Sequence, residues 1–328
     1  MKLYIDIEHF EALASQLGHP QFKQCLQMLQ QDCDIRLTFP KCELRPNSTR
    51  KKQVQDKINI LFTELQRNRG NSQSVEENFL IPTLSESEKA YEHLTSLYFV
   101  DSPDVKKGLI NPQIGDEIKA LTSLYVDNRY IPSKQYNIRQ MRDWSTIENE
   151  TCICTDIILT DLYLFAQSDI HYQINAYDLI NSLCKKSIGV KVNIVLFTLV
   201  TYKDGGVDRH LPIDTILRNI KDLVSAITGE EPYITIVNLS LREEHDRQIF
   251  TNYKAISSGD SFTYFEEKNG TIALVSKGRD LYANSHLDRG NLENSQNLIQ
   301  DLQTYINNHS SGIYSIFGDK KSNFLQFP

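Results

Sequence analysis

Asp156 to Phe165 reads DIILTDLYLF, an almost unbroken β-branched and apolar run of the kind a strand carries when both of its faces are covered. Val190 to Val200 (VKVNIVLFTLV) and Tyr233 to Leu239 (YITIVNL) repeat the pattern. Between the first two lies Asn175 to Lys186, with Ala176, Leu179, Ile180 and Leu183 at helical spacing. Between the second and third, Asp214 to Ile227 places Ile216, Leu217, Ile220, Leu223, Val224 and Ile227 on one helical face, with Asp214 as the expected N-cap. The order β-α-β-α-β predicts right-handed crossovers and a mostly parallel sheet covered by helices. Open parallel sheets hold their ligands beyond the carboxyl ends of the strands. The segment after Leu239 is therefore the first place to look for a site.

That segment contains HDRQIFTN, residues 245–252, followed by YKAISSGDSF, residues 253–262. His245 and Arg247 are separated by a single residue, so on a strand they share a face. A neutral imidazole can attack phosphorus, and a neighbouring cation can stabilise charge on the equatorial oxygens. With Asn252 and Gly259 downstream, the layout resembles the phospholipase D superfamily signature H-x-K-x4-D-x6-G-S. Together with the preceding β-α-β-α-β, the stretch from about residue 150 to 290 resembles one repeat of that superfamily. The wording is similar to degenerate phospholipase D-like domains of bacterial proteins and to the C-terminal domain of the MIT-domain proteins of membrane remodelling, which act as binding modules. The resemblance implies a phosphodiester ligand, nucleic acid foremost, in a bacterial defence or mobile-element setting. As a metal-independent nuclease, the chain would use His245 as nucleophile or acid/base, Arg247 as phosphate clamp and Asn252 as the group that orients the imidazole. Lys254, Gly259, Ser261 and the Gly205-Gly206 pair would bind the ligand, and neither cofactor nor metal is implied.

Three departures from the signature bear on that reading. Arg247 stands where the family has Lys, keeping the charge and gaining a bidentate fork. Asn252 stands where the family has Asp, and an amide orients an imidazole without stabilising its protonated form. Asp260 occupies the Ser position and brings negative charge near the expected phosphate. Active members also juxtapose two motifs. Only one is found here, so a homodimer or an unrecognised position in this chain would supply the second; His286-Leu287-Asp288-Arg289 lacks the strand context and the downstream glycine. The alternative function is a catalytically inactive protein-interaction module.

The first half is less plain. Leu3-Tyr4-Ile5-Asp6-Ile7 reads as a strand, Glu8 to Leu29 as helical, Ile35 to Phe39 as a second strand, and Val54 to Gln66 as an amphipathic helix. Further helical patterns cover Ser85 to Leu97 and Ile114 to Tyr125. Asp6 and Glu8 resemble the strand-end acids of metal-dependent PIN or NYN nucleases, where a carboxylate would bind Mg²⁺; a strand leading into a capped helix is the reading adopted. Arg45 to Lys57 is the most basic run, yet it contains no aromatic residue of the kind that stacks on single strands, and it reads as a solvated loop. Lys185-Lys186 ends its helix, where cations favour the dipole.

With 328 residues the chain is long enough for two domains, and the boundary is expected within residues 140–151, giving 1–145 and 146–328. The 42 acids against 35 bases, a net charge of −7, argue against a protein that coats DNA non-specifically. Six cysteines without knuckle spacing read as reduced thiols, mostly buried. No run reaches the ~18 apolar residues of a membrane span, and the acidic start is unlike a signal peptide, so a cytoplasmic location is expected. The fold expected is α/β: a C-terminal phospholipase D-like domain on a mixed, mostly parallel sheet, plus an N-terminal α/β or mainly helical domain. Nucleic acid, a protein partner and a second copy of the chain are the expected partners.

Overall fold

The computed structural model describes residues 1–46, 50–67, 74–78, 94–101, 112–126, 129–165, 169–204, 207–239, 247–276, 278, 280–309 and 316–328. The fold is α/β, in two compact units. Unit 1 runs to Tyr130, and the large sheet of unit 2 begins soon after it. The boundary therefore lies earlier than the expected 140–151. The reason is that β7 (Lys134–Asn137) pairs with a late strand of unit 2, and Trp144 is fully buried in the unit 2 core.

Unit 1 comprises β1 (Lys2–Ile5), α1 (Ile7–Ser15), α2 (Phe22–Gln31), β2 (Asp34–Leu37), α3 (Lys52–Gln66), β3 (Val75–Glu76), β4 (Leu97–Phe99), α4 (Glu117–Thr122) and a two-stranded ribbon, β5 (Tyr125–Val126) with β6 (Arg129–Tyr130). The first four strands form a parallel sheet in the order β3-β2-β1-β4. Asp6 caps α1 by accepting the backbone N–H of His9 at 2.9 Å, as the strand-and-capped-helix reading requires. The expected helix over Glu8 to Leu29 is two helices. Gly18 and Pro20 fall between them, where a proline lacks the N–H that would continue the first. Of the helix expected over Ser85 to Leu97, residues 85–93 lie outside the described residues, and Leu97 begins a buried strand instead. Two cations of the basic run bond to the fold, Arg50 pairing with Glu11 and donating to the Glu43 carbonyl and Lys57 Nζ donating to the Ser15 carbonyl, while Arg45, Lys51 and Lys52 are exposed.

Unit 2 continues from β7 with β8 (Asp156–Thr160), α5 (Asp169–Tyr172), a π-turn (Gln173–Tyr177), α6 (Asp178–Cys184), β9 (Asn193–Thr198), the ribbon β10 (Thr201–Asp204) with β11 (Val207–His210), α7 (Ile213–Thr228) and β12 (Tyr233–Asn238). After these come the hairpin β13 (Arg247–Thr251) with β14 (Lys254–Ser258), the ribbon β15 (Phe265–Lys268) with β16 (Thr271–Leu274), β17 (Asp280–Ser285), α8 (Arg289–His309) and β18 (Ile316–Gly318). The main sheet has the order β18-β12-β9-β8-β13-β14-β17-β7. Its β12, β9 and β8 are parallel, as the apolar runs predict, and the remaining pairings are antiparallel. Alternation along the strands sends Ile157, Leu159, Ile194, Leu196 and Ile249 into the core shared with α6, α7 and Trp144. Ile158, Val195, Phe197 and Phe250 take the opposite face, which α8 closes with Ile299, Leu302 and Ile306. Asp214 lies inside the first turn of α7 rather than capping it, since Pro212 precedes the helix. Among the described residues, all six cysteines are free thiols and only Cys42 is exposed. No described helix is long and apolar enough to cross a membrane.

Candidate functional site

The expected site sits on β13, and the length of that strand decides its geometry. Arg247 pairs in register with Ser258 at one end, while Thr251, at the other, stands opposite Ile157 at the start of β8. Asn252 thus lies on the order of 17 Å from Arg247 along an extended chain, at the amino edge of β8 rather than the carboxyl rim. It is 1% exposed. Its Oδ1 accepts the backbone N–H groups of Thr155 at 2.8 Å and Asp156 at 3.3 Å, and its Nδ2 donates to Thr155 Oγ1 at 3.0 Å. Asn252 therefore anchors the hairpin turn to the start of β8, and the expected role of orienting an imidazole is corrected accordingly. Lys254 is 3% exposed and stands opposite Ser285 in the sheet, so the expected ligand contact is corrected too. His245, Gly205 and Gly206 lie outside the described residues.

At the carboxyl rim the structure brings together Arg247, Ser261 and Asp161. Ser261 Oγ donates to both Asp161 carboxylate oxygens, at 2.9 and 2.7 Å, and the backbone N–H groups of Tyr163 and Phe262 donate at 3.0 and 2.6 Å. Burial raises the Asp161 carboxyl, and these donors with the Arg247 charge only partly offset it. Gly259 follows β14 with open space where a side chain would go. Asp260 does not project toward a phosphate position: Oδ2 accepts from Ser276 Oγ at 2.8 Å and Gly278 N at 2.6 Å. Of the expected binding groups, Ser261 is engaged with Asp161, and Arg247 faces a carboxylate of its own chain.

At the amino edge, Asp156 accepts from Asn323 N, Asn323 Nδ2, Ser322 Oγ and Asn193 Nδ2 at 2.7, 2.6, 3.0 and 3.2 Å, tying the C-terminal segment to the sheet. Burial nevertheless pushes it up to about 6. His286 is equally enclosed, with Nδ1 against the Asn252 carbonyl at 3.1 Å and Nε2 against Ser295 Oγ at 2.9 Å. Burial lowers it to about 4, opposed by the Asn252 carbonyl. It does not converge with Arg289, which is exposed.

A pH dependence follows from His286. Between about 6.5 and 4 the unfolded imidazole binds a proton that the folded one refuses, so unit 2 loses about 3 kcal/mol from this group as pH falls through that window. His286→Gln removes the titration. Urea midpoints of variant and parent should converge on acidification from pH 7 to 4, and a constant difference would refute the assignment.

Unit 1 holds the pair that sequence reading saw only in half. In a sheet ordered β3-β2-β1-β4, the chain steps outward from β1 to β3 and then crosses to the other side of β1, so the switch point lies between β1 and β4. Asp6 follows β1 and Asp101 follows β4 at their carboxyl ends. Asp6 N donates to the Phe99 carbonyl at 2.9 Å, and Asp101 N donates to Asp6 Oδ2 at 2.5 Å. Asp6 is half-buried and Asp101 exposed. Behind them His9 Nδ1 meets Glu117 Oε1 at 2.8 Å, both buried. Burial opposes ionisation of Glu117, but hydrogen bonds from His9, Gly115 and Gln16 outweigh it and hold the carboxyl below its ordinary range. The missed residue, Asp101, had a local signal: Leu97-Tyr98-Phe99-Val100-Asp101 echoes Leu3-Tyr4-Ile5-Asp6. Among the described residues no group of three or more His, Cys, Asp or Glu side chains is arranged to hold a metal.

No protein-family model matches the chain, and no curated protein matches it. Among solved structures it is similar to TrmBL2, described as an archaeal chromatin protein with a novel mode of DNA binding. The identity is 11%, the alignment covers 57% of this chain and 59% of that one, and the TM-score is 0.25. So slight a likeness assigns neither fold nor ligand.

Proposed function

We propose that the chain is a phosphodiester-directed protein, with nucleic acid the ligand in view, whose chemistry sits at the carboxyl edge of unit 1 while unit 2 serves as a binding module. The observation that carries this reading is the hydrogen bond from the Asp101 backbone amide to the Asp6 carboxylate, which sets two strand-end acids beside each other at the switch point of a parallel sheet. Two carboxylates suit Mg²⁺, which is commonly held by one or two acids with water and substrate phosphates completing the shell. Such an ion would polarise the phosphoryl group and lower the pKa of an attacking water. Asp6 is oriented by the amides of His9 and Asp101, and the exposed Asp101 meets substrate from solvent.

A second reading keeps the histidine chemistry of unit 2, favoured by the position of Arg247 at the carboxyl rim beside Ser261. The carboxylate of Asp161 facing that guanidinium supports the inactive-module alternative instead.

Labelled single- and double-stranded DNA and RNA, incubated with the full chain in Mg²⁺ or in chelator, separate these. The first reading expects cleavage in Mg²⁺ that chelator abolishes and that falls about 100-fold in Asp101→Asn, equivalent to roughly 3 kcal/mol of barrier. It expects His245→Ala to cleave normally. Cleavage that survives chelator and vanishes in His245→Ala moves the chemistry to unit 2. Absence of cleavage throughout overturns both catalytic readings and leaves the binding module.

A further inference from the structure

The face of the main sheet that α8 covers is not closed along its whole width. Beside the N-terminal half of α8, a groove of about 380 Å³ opens between the helix and strands β13, β14 and β17. The sheet contributes Gln248, Ser257 and Asn284, which the register places side by side: Gln248 opposite Ser257, and Ala255 opposite Asn284. The helix contributes Asn291, Asn294 and Asn297, spaced three apart so that they run along one side. Among the described residues that line it none is charged, and Ala255 and Leu298 are the apolar members.

We infer that this groove is a binding site for a neutral, hydroxyl-rich ligand, a saccharide. Charge chemistry argues first: the described lining residues include no cation to offset desolvation of a phosphate or carboxylate, and no carboxylate to do the same for an ammonium group. The polar groups argue second. Each amide presents both a donor and an acceptor, which matches a sugar hydroxyl that is itself both. An apolar ligand would bury those amides against hydrocarbon and leave them unsatisfied. An aromatic platform argues third. Tyr282, 43% exposed, stands opposite Ser257 and two positions from Asn284 on the same face of β17, an aromatic neighbour of the row whose hydroxyl is met by Gln135 Nε2 at 3.5 Å and on which a pyranose C–H face could stack. The walls are also pre-ordered: Asn291 Nδ2 donates to the Ser285 carbonyl at 3.2 Å, and Ser295 is held by His286, so little ordering remains for binding.

The test is NMR titration of the full chain with maltotriose, N,N′-diacetylchitobiose and cellotriose, each taken to about 10 mM, the range in which one shallow polar site is read. The site predicts saturable shifts for at least one sugar, concentrated at the backbone amides of Gln248, Ser257, Asn284 and Asn294. Affinity should fall about fivefold or more in Gln248→Ala and in Asn294→Ala. Asn294 is exposed and Gln248 partly exposed, so circular dichroism should be unchanged and the unfolding midpoint should move little. No saturable shift with any of the three sugars overturns the inference, as do shifts centred elsewhere or binding that both variants leave intact. A single-stranded oligonucleotide or a neutral peptide that shifts these amides when the sugars do not also overturns it. None of these outcomes depends on cleavage, so the proposal for unit 1 stands or falls separately.

Discussion

Gly318→Ala is expected to destabilise unit 2 by about 3 to 5 kcal/mol, the range in which a clash with hydrogen-bonded backbone and left-handed backbone strain combine. Gly318 closes β18 with φ at +92°, and a methyl group there would stand 2.2 Å from the backbone oxygen of Ile234. That oxygen cannot swing away: it accepts the Asp319 amide at 2.9 Å, and β12 is hydrogen-bonded along its other edge to β9. Leu217 on α7 lies at 3.2 Å and blocks escape on that side. β18 must therefore draw back, which breaks its pairing at Thr235 and Ile236. It also loosens Asp319, whose carboxylate accepts the Ile234 amide at 2.8 Å and meets Lys221. The effect should spread, because Ser322 and Asn323, a few residues on, supply donors to the buried Asp156. Gly229→Ala is the comparison. It too has positive φ, +77° at the end of α7, but nothing lies within 4 Å, so only the strain of about 1 to 2 kcal/mol remains. Denaturant unfolding of the two variants measures the difference. Equal losses would show that the contact with Ile234 does not matter.

The parts of this molecule that could be read from sequence are those whose signal is local. Three buried strands declare themselves because each is covered on both faces and so is apolar at every position, and the helices between them keep their own period. β7 could not be read. Its sequence, Lys134-Gln135-Tyr136-Asn137, buries one side chain, and its partner β17 lies far along the chain, so neither alternation nor proximity marks it. That one pairing displaces the domain boundary. The site motif shows the complementary failure. Spacing along a chain says which residues are near in sequence, and a strand then carries them apart at about 3.3 Å per residue. Arg247 and Asn252 belong to opposite edges of the sheet for that reason alone. Asp156, Asp161 and Asn238, at the ends of the buried strands, all turn inward: Asn238 Oδ1 accepts the Val200 amide, and the two acids accept from the protein around them. The Asp6–Asp101 contact was half legible, since the two strand-end acids echo each other, but only the sheet order makes them neighbours. The amide groove was not legible at all, because it is assembled from three strands and a helix whose register no single segment encodes.

Asn252→Asp, which restores the acid of the resembled signature, is expected to lower the stability of unit 2 by about 3 to 5 kcal/mol at neutral pH, the loss typical of an uncompensated buried charge. The amide Nδ2 now donates to Thr155 Oγ1, and a carboxylate oxygen in its place would face a hydroxyl already directed at Asp156 Oδ2, 3.1 Å away. Two buried carboxylates would then share one threonine, with Asp156 already raised to about 6 by its burial. Like charges at such range push the affinity of each for protons upward. The substituted acid therefore has a folded pKa above its unfolded value near 3.9, so the folded state binds more protons as pH rises past that value, and stability falls through the window above it. Most of the loss should consequently disappear near pH 4, where the new carboxyl is protonated in the folded state and about half protonated in the unfolded one, and where its O–H can replace the lost amide donor. Asn252→Ala behaves differently: it leaves the Thr155 and Asp156 amides unpaired at every pH and should cost about 2 to 3 kcal/mol with little pH dependence. Unfolding midpoints of both variants and the parent, followed from pH 4 to 8, decide the matter. If Asn252→Asp were as stable as the parent at pH 7, the position would have to accept a charge, and the anchoring role of Asn252 at the amino edge of β8 would give way to one that requires an acid there.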